Sequence, residues 1–221
     1  MTPAPKTNES PANQLHAAGF AALVRERLPS AAFAAQIART SPSDFDLNPD
    51  VALNLPAQLK PAAVLVGVVA RNPLTILLTL RTHTLAQHAG QIAFPGGGID
   101  PDDATPTAAA LREAHEEIGL EPHLVQPLGF LDTYRTGTGY AIKPLVALIE
   151  PAFTLKLQAS EVAEAFEVPL AFLMDEANHQ THAKIWQGYE RRFYAMPYEN
   201  RYIWGATAGI LKNMHKRLFA P

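Results

Sequence analysis

A short segment in the middle of the chain carries three glutamates on what is predicted to be one helix. Residues 98–120 read GIDPDDATPTAAALREAHEEIGL, and Glu113, Glu116 and Glu117 fall at positions i, i+3 and i+4. On an α-helix this spacing places all three carboxylates on one face, one above another. Like charges one turn apart repel each other, and each pair costs roughly a few tenths of a kcal/mol on an exposed helix. Folding gains nothing from this arrangement, which favours a role in binding a cation.

Local sequence marks both ends of this helix. Thr105 before Pro106 is typical of an N-cap followed by proline at the first helical position, and Gly119 is typical of the residue that ends a helix. We therefore predict a helix over residues 106–118. Its packing face is supplied by small and aliphatic side chains: Ala108, Ala109, Ala110, Leu111 and Ala114. A glutamate cluster is most often a solvated helix face, but the glycine-rich residues 94–98 just before this helix favour an organised site.

Three carboxylates that follow a glycine-rich loop are suited to a hard divalent cation, Mg²⁺ or Mn²⁺, which prefers oxygen ligands and commonly bridges to phosphate oxygens. We predict Glu113 and Glu117 as direct ligands, because they are one turn apart. Glu116 is predicted to be a third ligand or one that acts through water. A backbone carbonyl near Gly97 or Gly98 is predicted to complete the coordination shell.

The same residues resemble the Nudix box, G-x5-E-x7-REUxEExGU, in which U is a bulky or aliphatic residue. Residues 112–120 match its REUxEExGU tail, with the small Ala114 at the first U, and Gly98 matches its first glycine. The isolated glutamate of the motif falls on Ala104. The resemblance to the Nudix hydrolases implies an α/β/α sandwich of the α/β (α+β) class, with a mixed β-sheet between helices. It also implies an enzyme that hydrolyses a diphosphate linkage with the help of a divalent metal.

The departure at Ala104 is similar to one Nudix subgroup, the coenzyme A pyrophosphatases, in which FPGG-x-x-D-x-x-D precedes the helix. Residues 94–97 match FPGG, and Asp100 and Asp103 match the two acids. Upstream, residues 77–81 read LLTLR and match the LLTxR of the subgroup signature. Its glycine matches as well, on Gly90, whereas its second arginine falls on Ala86.

The subgroup resemblance implies cleavage of the central diphosphate of coenzyme A and its derivatives, which gives 3′,5′-ADP and 4′-phosphopantetheine. Two alternatives stay open. A Nudix pyrophosphatase acting on ADP-ribose, dinucleotides or nucleoside triphosphates is supported by the missing arginine at Ala86. A non-catalytic nucleotide-binding Nudix module is disfavoured because all three glutamates of the box tail are present.

Further site residues are assigned by their chemistry and position. Arg81 ends a predicted strand, and its guanidinium is predicted to bind a substrate phosphate, together with backbone near Gly97 and Gly98. Arg112 is predicted to hold Glu116 or the glycine loop in place. We assign catalytic roles to three carboxylates (Glu113, Glu116 and Glu161). The general base is left open between Glu116 and Glu161, and a solvated turn residue is the alternative for Glu161.

Composition narrows the remaining possibilities. The chain has 221 residues, 48% of them hydrophobic, which suits a single enzyme domain over residues 14–221 after a polar N-terminus, residues 1–13, predicted to be disordered. The net charge of −3 gives no electrostatic footprint for nucleic acid. Without cysteine, disulfides and thiolate chemistry are excluded. No signal peptide or membrane-spanning run is recognised, so a cytoplasmic enzyme with a small-molecule substrate is predicted, and a homodimer is left open.

Hydrophobic periodicity predicts the other elements. Helices are predicted over residues 15–28, 170–177 and 206–219. An extended surface loop is predicted over residues 40–61. Strands are predicted over residues 63–70, 74–80, 91–94, 129–136, 140–150 and 163–169, with a β-hairpin over 183–198 that turns at Gly188. Strands and helices mix without regular alternation, which indicates a mixed sheet between helices.

Overall fold

Helices cover both faces of a mixed β-sheet. The computed structural model describes residues 12, 15–30, 41–48, 58–84, 88–186 and 188–220. Within these residues the α-helices are α1 (Ala17–Arg27), α2 (Pro106–Ile118), α3 (Leu170–Leu173) and α4 (Ala206–Leu218). The strands are β1 (Lys60–Val69), β2 (Thr75–Arg81), β3 (Ile92–Ala93), β4 (Gly96–Gly98), β5 (Val125–Phe130), β6 (Tyr134–Arg135), β7 (Tyr140–Ile149), β8 (Val162–Pro169), β9 (Gln180–Trp186), β10 (Tyr189–Tyr198) and β11 (Arg201–Trp204).

The main sheet is organised around β1. One edge of β1 pairs in parallel with β7 along its whole length, from Lys60↔Tyr140 to Val69↔Ile149. The other edge is shared by two antiparallel strands, β4 near its start and β2 near its end. Strand β2 then pairs with both β3 and β8. The glycine-rich segment therefore lies against the first half of the central strand β1, and β3, just before it, pairs with the end of β2.

Successive side chains of β1 and β7 point to opposite faces of the sheet, and each face therefore has its own hydrophobic core. Leu65 of β1 and Leu145 of β7 point to one face and pack with α2, whereas Val66 and Val146 point to the other face, where α1 and α4 pack. This is the period of two that places successive side chains on opposite faces of a strand. All four side chains are fully buried, and burying each of them contributes about 1.5–3 kcal/mol. The predicted α/β/α sandwich is confirmed.

The predicted ends of α2 are confirmed in detail. The Thr105 side chain accepts a hydrogen bond from the Ala108 backbone N–H at 3.1 Å, and Pro106 occupies the first turn. Gly119 ends the helix in the left-handed region, at φ 67°. Three alanines of the buried face are almost wholly shielded from solvent: Ala109, Ala110 and Ala114. Their small side chains let α2 lie close over β1 and β4.

A second sheet of three strands forms beside α4, in the order β11-β10-β9. Trp186 pairs with Tyr189 across the turn, which confirms the predicted hairpin at Gly188. Met196 of β10 and Ile203 of β11 are fully buried in the core that also contains α4. This sheet stands next to β3, the short strand that leads into β4, because β11 contacts β3.

Several predicted boundaries are corrected by pairing partners that lie far away in sequence. Residues 96–98, predicted as a loop, form β4 against β1. The predicted strand 129–136 is two strands, β5 and β6, both paired with β7. Strand β11 was not predicted, and the predicted helix 170–177 ends at Leu173, before a 3₁₀ turn over Glu176–Asn178. The predictions for residues 1–13 and for Ala86 lie outside the described residues, Ala12 aside.

None of the helices in the described part of the chain combines the length and the apolar character needed to cross a bilayer.

Candidate active site

A cavity of about 850 Å³ opens between the main sheet and the β9–β10 hairpin. Its lining includes six residues assigned to the site from sequence: Arg81, Gly97, Gly98, Glu113, Glu117 and Glu161. The tertiary fold thus gathers residues from β2, β4, α2 and the loop before β8. Glu116 is not part of this lining in the described residues.

Glu117 is the most buried carboxylate of the box, with 4% of its surface exposed. Its Oε2 accepts a hydrogen bond from the Gly96 backbone N–H at 3.1 Å, and its Oε1 accepts one from the Arg81 guanidinium at 3.3 Å. Burial raises the pKa of Glu117 to about 7, although these two contacts act in the opposite direction. The nearby charges of Glu113 and Glu161 raise it further. The buried carboxylate is therefore short of positive charge.

The position of the Glu113 carboxylate requires that residue 97 has no side chain. A Cβ at Gly97 would lie 2.5 Å from the carboxyl carbon of Glu113, a distance that real Cβ contacts do not reach. Glycine here lets the carboxylate lie directly against β4. Burial raises the pKa of Glu113, while its hydrogen bond with Arg112 lowers it and the charges of Glu116 and Glu161 raise it.

Arg112 forms hydrogen bonds to α2, to β4 and to the loop between them. Its guanidinium donates to Glu116 Oε2 at 2.9 Å, to Glu113 Oε1 at 3.0 Å and to the Gly98 carbonyl at 3.2 Å. It also donates twice to Asp103, at 3.0 and 2.9 Å. The predicted contacts to Glu116 and to the glycine segment are confirmed. The contact to Asp103, the second aspartate of the subgroup motif, was not predicted.

The other two predicted catalytic carboxylates lie in different surroundings. Glu116 is 57% exposed and is held by Arg112 at the side of α2. Glu161 lines the cavity, because its backbone carbonyl accepts a hydrogen bond from the Thr82 N–H at 2.9 Å where β2 ends. Of the glutamates assigned to the site, Glu113, Glu117 and Glu161 therefore share the cavity, and the carboxylate of Asp44 lines it as well. The catalytic role of each stays a prediction.

Residues 41–48 supply polar groups that sequence reasoning missed. Asp44 accepts hydrogen bonds from the Gly137 N–H at 2.7 Å and from the Tyr134 hydroxyl at 2.9 Å, and burial raises its pKa. Asn48 ties this segment to β10, because its side chain donates to the Arg192 carbonyl at 2.9 Å and accepts from the Arg192 N–H at 2.8 Å. These contacts could not be predicted from local sequence, since they join residues 90 to 144 positions apart.

Comparison with known proteins identifies the family. The sequence model of the NUDIX domain matches residues 61–188. The chain belongs to the Nudix hydrolase family. Its relatives include the Nudix hydrolase NudL of Shigella flexneri serotype 5b, which is 38% identical over 159 residues, covering 72% of this chain and 83% of that protein. NudL of Escherichia coli K12 is 39% identical over 153 residues, covering 69% of this chain and 80% of that protein. Their names specify no substrate.

Two solved structures are also similar to this chain. The Nudix hydrolase RenU of M. smegmatis is 25% identical, with a TM-score of 0.44 over 51% of this chain and 72% of that one. The Ap4A hydrolase of C. elegans is 19% identical, with a TM-score of 0.42 over 51% of this chain and 81% of that one.

Nudix hydrolases generally use divalent metals such as Mg²⁺ or Mn²⁺, and the chemistry of this Nudix cavity fits such an ion. Glu113, Glu117 and Glu161 all line this cavity, and burial raises the pKa of Glu113 and of Glu117, so a divalent cation would supply the missing positive charge. Among the described residues, no three acidic or histidine side chains are already drawn together as a closed set of ligands. Instead Arg112 contacts Glu113, and Arg81 contacts Glu117.

Proposed function

We propose that this Nudix hydrolase cleaves the diphosphate linkage of coenzyme A and its derivatives, giving 3′,5′-ADP and 4′-phosphopantetheine. One observation carries the proposal. The residues that resemble the coenzyme A subgroup signature lie together at the cavity that contains the box glutamates. Arg81 from the LLTLR segment and Phe94, Gly96 and Gly97 from FPGG all line it.

Each carboxylate is assigned a role from its position. Glu113 and Glu117 would hold a divalent cation, with Glu161 nearby in the same cavity. When bound, such a cation neutralises phosphate charge and lowers the pKa of water. Glu161 is the better candidate for the general base, because it faces the cavity while the exposed Glu116 is held by Arg112. Glu116 then supports the site by fixing the orientation of Arg112.

Arg81 is assigned to substrate binding. Its Nη1 contacts Glu117 at 3.3 Å, whereas its Nε is buried and has no hydrogen-bond partner in the part of the chain that the structure describes. A buried guanidinium N–H without a partner costs about 1–3 kcal/mol. The Arg81 side chain is still 23% exposed and lines the cavity, and a guanidinium binds phosphate with suitable geometry, so its accessible N–H groups would bind a phosphate oxygen placed there.

A substrate panel tests the proposal. The purified protein is incubated with Mg²⁺ or Mn²⁺ and with coenzyme A, acetyl-coenzyme A, ADP-ribose, a diadenosine polyphosphate or a nucleoside triphosphate, and products are separated by chromatography. We expect 3′,5′-ADP from coenzyme A, with kcat/KM well above that for the other substrates. Rapid hydrolysis of ADP-ribose with no turnover of coenzyme A would reject the proposal. Glu117→Gln serves as the inactive control that excludes a contaminating hydrolase.

A further inference from the structure

One face of the β9–β10 hairpin carries an ordered set of cross-strand pairs. Register places Phe193 opposite His182, Arg191 opposite Lys184 and Tyr189 opposite Trp186. Residues directly opposite each other in an antiparallel pair project from the same face. A pair of cations therefore stands between two aromatic pairs. We call these six residues the basic–aromatic face.

The stability of the isolated chain does not explain this arrangement. Like charges directly opposite each other destabilise an antiparallel pair, and neither Lys184 nor Arg191 forms an ion pair with any residue in the described ranges. Asp44 lines the same cavity and its charge interacts with that of Arg191, but the two form no ion pair within 4.0 Å in the described residues.

The aromatic side chains of Trp186 and Tyr189, beside the cations, are exposed to solvent. Trp186 is 55% exposed and Tyr189 is 67% exposed. The other face of this sheet carries the residues that do pack, since Met196 and Ile203 are fully buried beside α4. Large exposed aromatic side chains next to unpaired cations are the features that proteins use to stack bases and bind phosphates.

The position of the face relates it to the active site. Lys184, Trp186 and Arg191 line the same cavity as Glu113 and Glu117. A cavity of about 850 Å³ is large enough for a nucleotide-sized ligand. Its carboxylate wall suits the metal-bound diphosphate, whereas its hairpin wall offers two cations and aromatic rings. A ligand that fills it would bring a second anionic group and a planar ring to the hairpin.

We infer that the basic–aromatic face binds the nucleotide end of the substrate: Lys184 and Arg191 bind a phosphate monoester that lies outside the scissile diphosphate, and Trp186 stacks on the purine. The inference deepens the proposed function and rests on it for the substrate class. It makes Lys184 and Arg191 specificity determinants that distinguish a nucleotide with an additional phosphate from one without it. Because a diphosphate bound at the carboxylates and a monoester bound at the hairpin are separate anions, the two contacts can be tested separately.

Binding of the nucleotide fragment tests the inference without catalysis. Calorimetry with the full chain in EDTA compares adenosine 3′,5′-bisphosphate with 5′-AMP. We expect Lys184→Ala and Arg191→Ala each to raise the Kd for the bisphosphate about tenfold and that for 5′-AMP less than about threefold, as expected for loss of one charge-assisted phosphate contact. Trp186→Ala should weaken both ligands about tenfold, as stacking predicts. Lys184→Arg should retain most of the affinity. Lys216→Ala, an exposed cation on α4 outside the cavity lining, is the matched control.

The outcomes separate this inference from the proposed function. If Lys184→Ala and Arg191→Ala bind the bisphosphate like wild type, the inference is overturned, whether or not coenzyme A is hydrolysed. The same conclusion follows if these variants change only the oligomeric state in size-exclusion chromatography, because a second copy of the chain would then cover the face. If the wild type does not hydrolyse coenzyme A but loses bisphosphate affinity in both variants, the proposed function fails and the face stands as a nucleotide phosphate site.

Discussion

Replacement of Glu117 by glutamine is expected to abolish hydrolysis and, at the same time, to stabilise the metal-free protein. The carboxylate is 4% exposed, and burial raises its pKa from an ordinary value of 4.5 to about 7. Glutamine keeps an oxygen that can accept the hydrogen bond from the Gly96 N–H, but it carries no charge to desolvate. A residue needed to bind a cation is thus expected to weaken the fold when the cation is absent.

The magnitude and the sign follow from the two pKa values. The interval between 4.5 and about 7, at about 1.4 kcal/mol per pKa unit, corresponds to about 3 kcal/mol. Because the folded state holds the proton more tightly, the free energy of unfolding of the metal-free wild type falls as pH rises from about 4.5 to about 7, and then levels off. Loss of the Arg81 contact in the variant offsets part of the gain. The stability difference between variant and wild type should therefore be about 2 kcal/mol near pH 8 and below about 1 kcal/mol near pH 5.

Urea unfolding in EDTA, followed by the fluorescence of the two tryptophans, measures this difference. Addition of Mg²⁺ at about 100 times its Kd should stabilise the wild type by about 2.7 kcal/mol and the variant by much less. Glu116→Gln is the matched control for stability, because this glutamate is 57% exposed, and we expect a change within about 0.5 kcal/mol at both pH values. A Glu117→Gln variant no more stable than wild type in EDTA near pH 8 would refute the reasoning.

Three further changes test the supporting contacts. Gly97→Ala should raise the apparent Kd for Mg²⁺ about tenfold or more in activity titrations, because the added Cβ would meet the Glu113 carboxylate. The control is Gly98→Ala, whose added Cβ would have nothing within 4 Å, and its apparent Kd for Mg²⁺ should stay within about twofold of wild type. Arg112→Lys should lower the free energy of unfolding in urea by about 1–2 kcal/mol, since an ammonium cannot reproduce the forked contacts to Asp103, Glu113 and Gly98. A urea midpoint equal to that of wild type would contradict this. Asn48→Ala should cost about 1–2 kcal/mol in thermal unfolding and raise KM, because it removes two part-buried hydrogen bonds to the backbone of Arg192. An unchanged KM would show that the cavity does not depend on this contact.

Features that depend on neighbouring residues were predicted correctly. The helix α2 begins and ends where Thr105, Pro106 and Gly119 indicate, because capping uses side chains within a few positions of the helix end. The hairpin at Gly188 follows for the same reason. Its register also implies that Lys184 faces Arg191, so the basic–aromatic face could have been found by counting outward from the turn.

Features that depend on distant strands were predicted less well. Residues 96–98 contain only glycine, so their sequence favours a loop, and they become a strand because β1 offers its edge. Likewise β5 and β6 are separated by their pairing with different parts of β7. Such pairings are formed between residues far apart along the chain and leave little trace in local composition.

The spacing of its residues alone predicted a helix that carries three carboxylates on one face, because the helical period fixes which side chains share a face. The resemblance of the same segment to the Nudix box then pointed to the family, which the NUDIX domain match shows. Tertiary structure decided which of those carboxylates meet. Glu117 is buried beneath Gly96 and Glu161 is brought in by the pairing of β8 with β2, whereas Glu116, on the same helical face, remains exposed beside Arg112. Side chains on one helical face point in a range of directions, and the strands packed against the helix determine which of those side chains line the cavity.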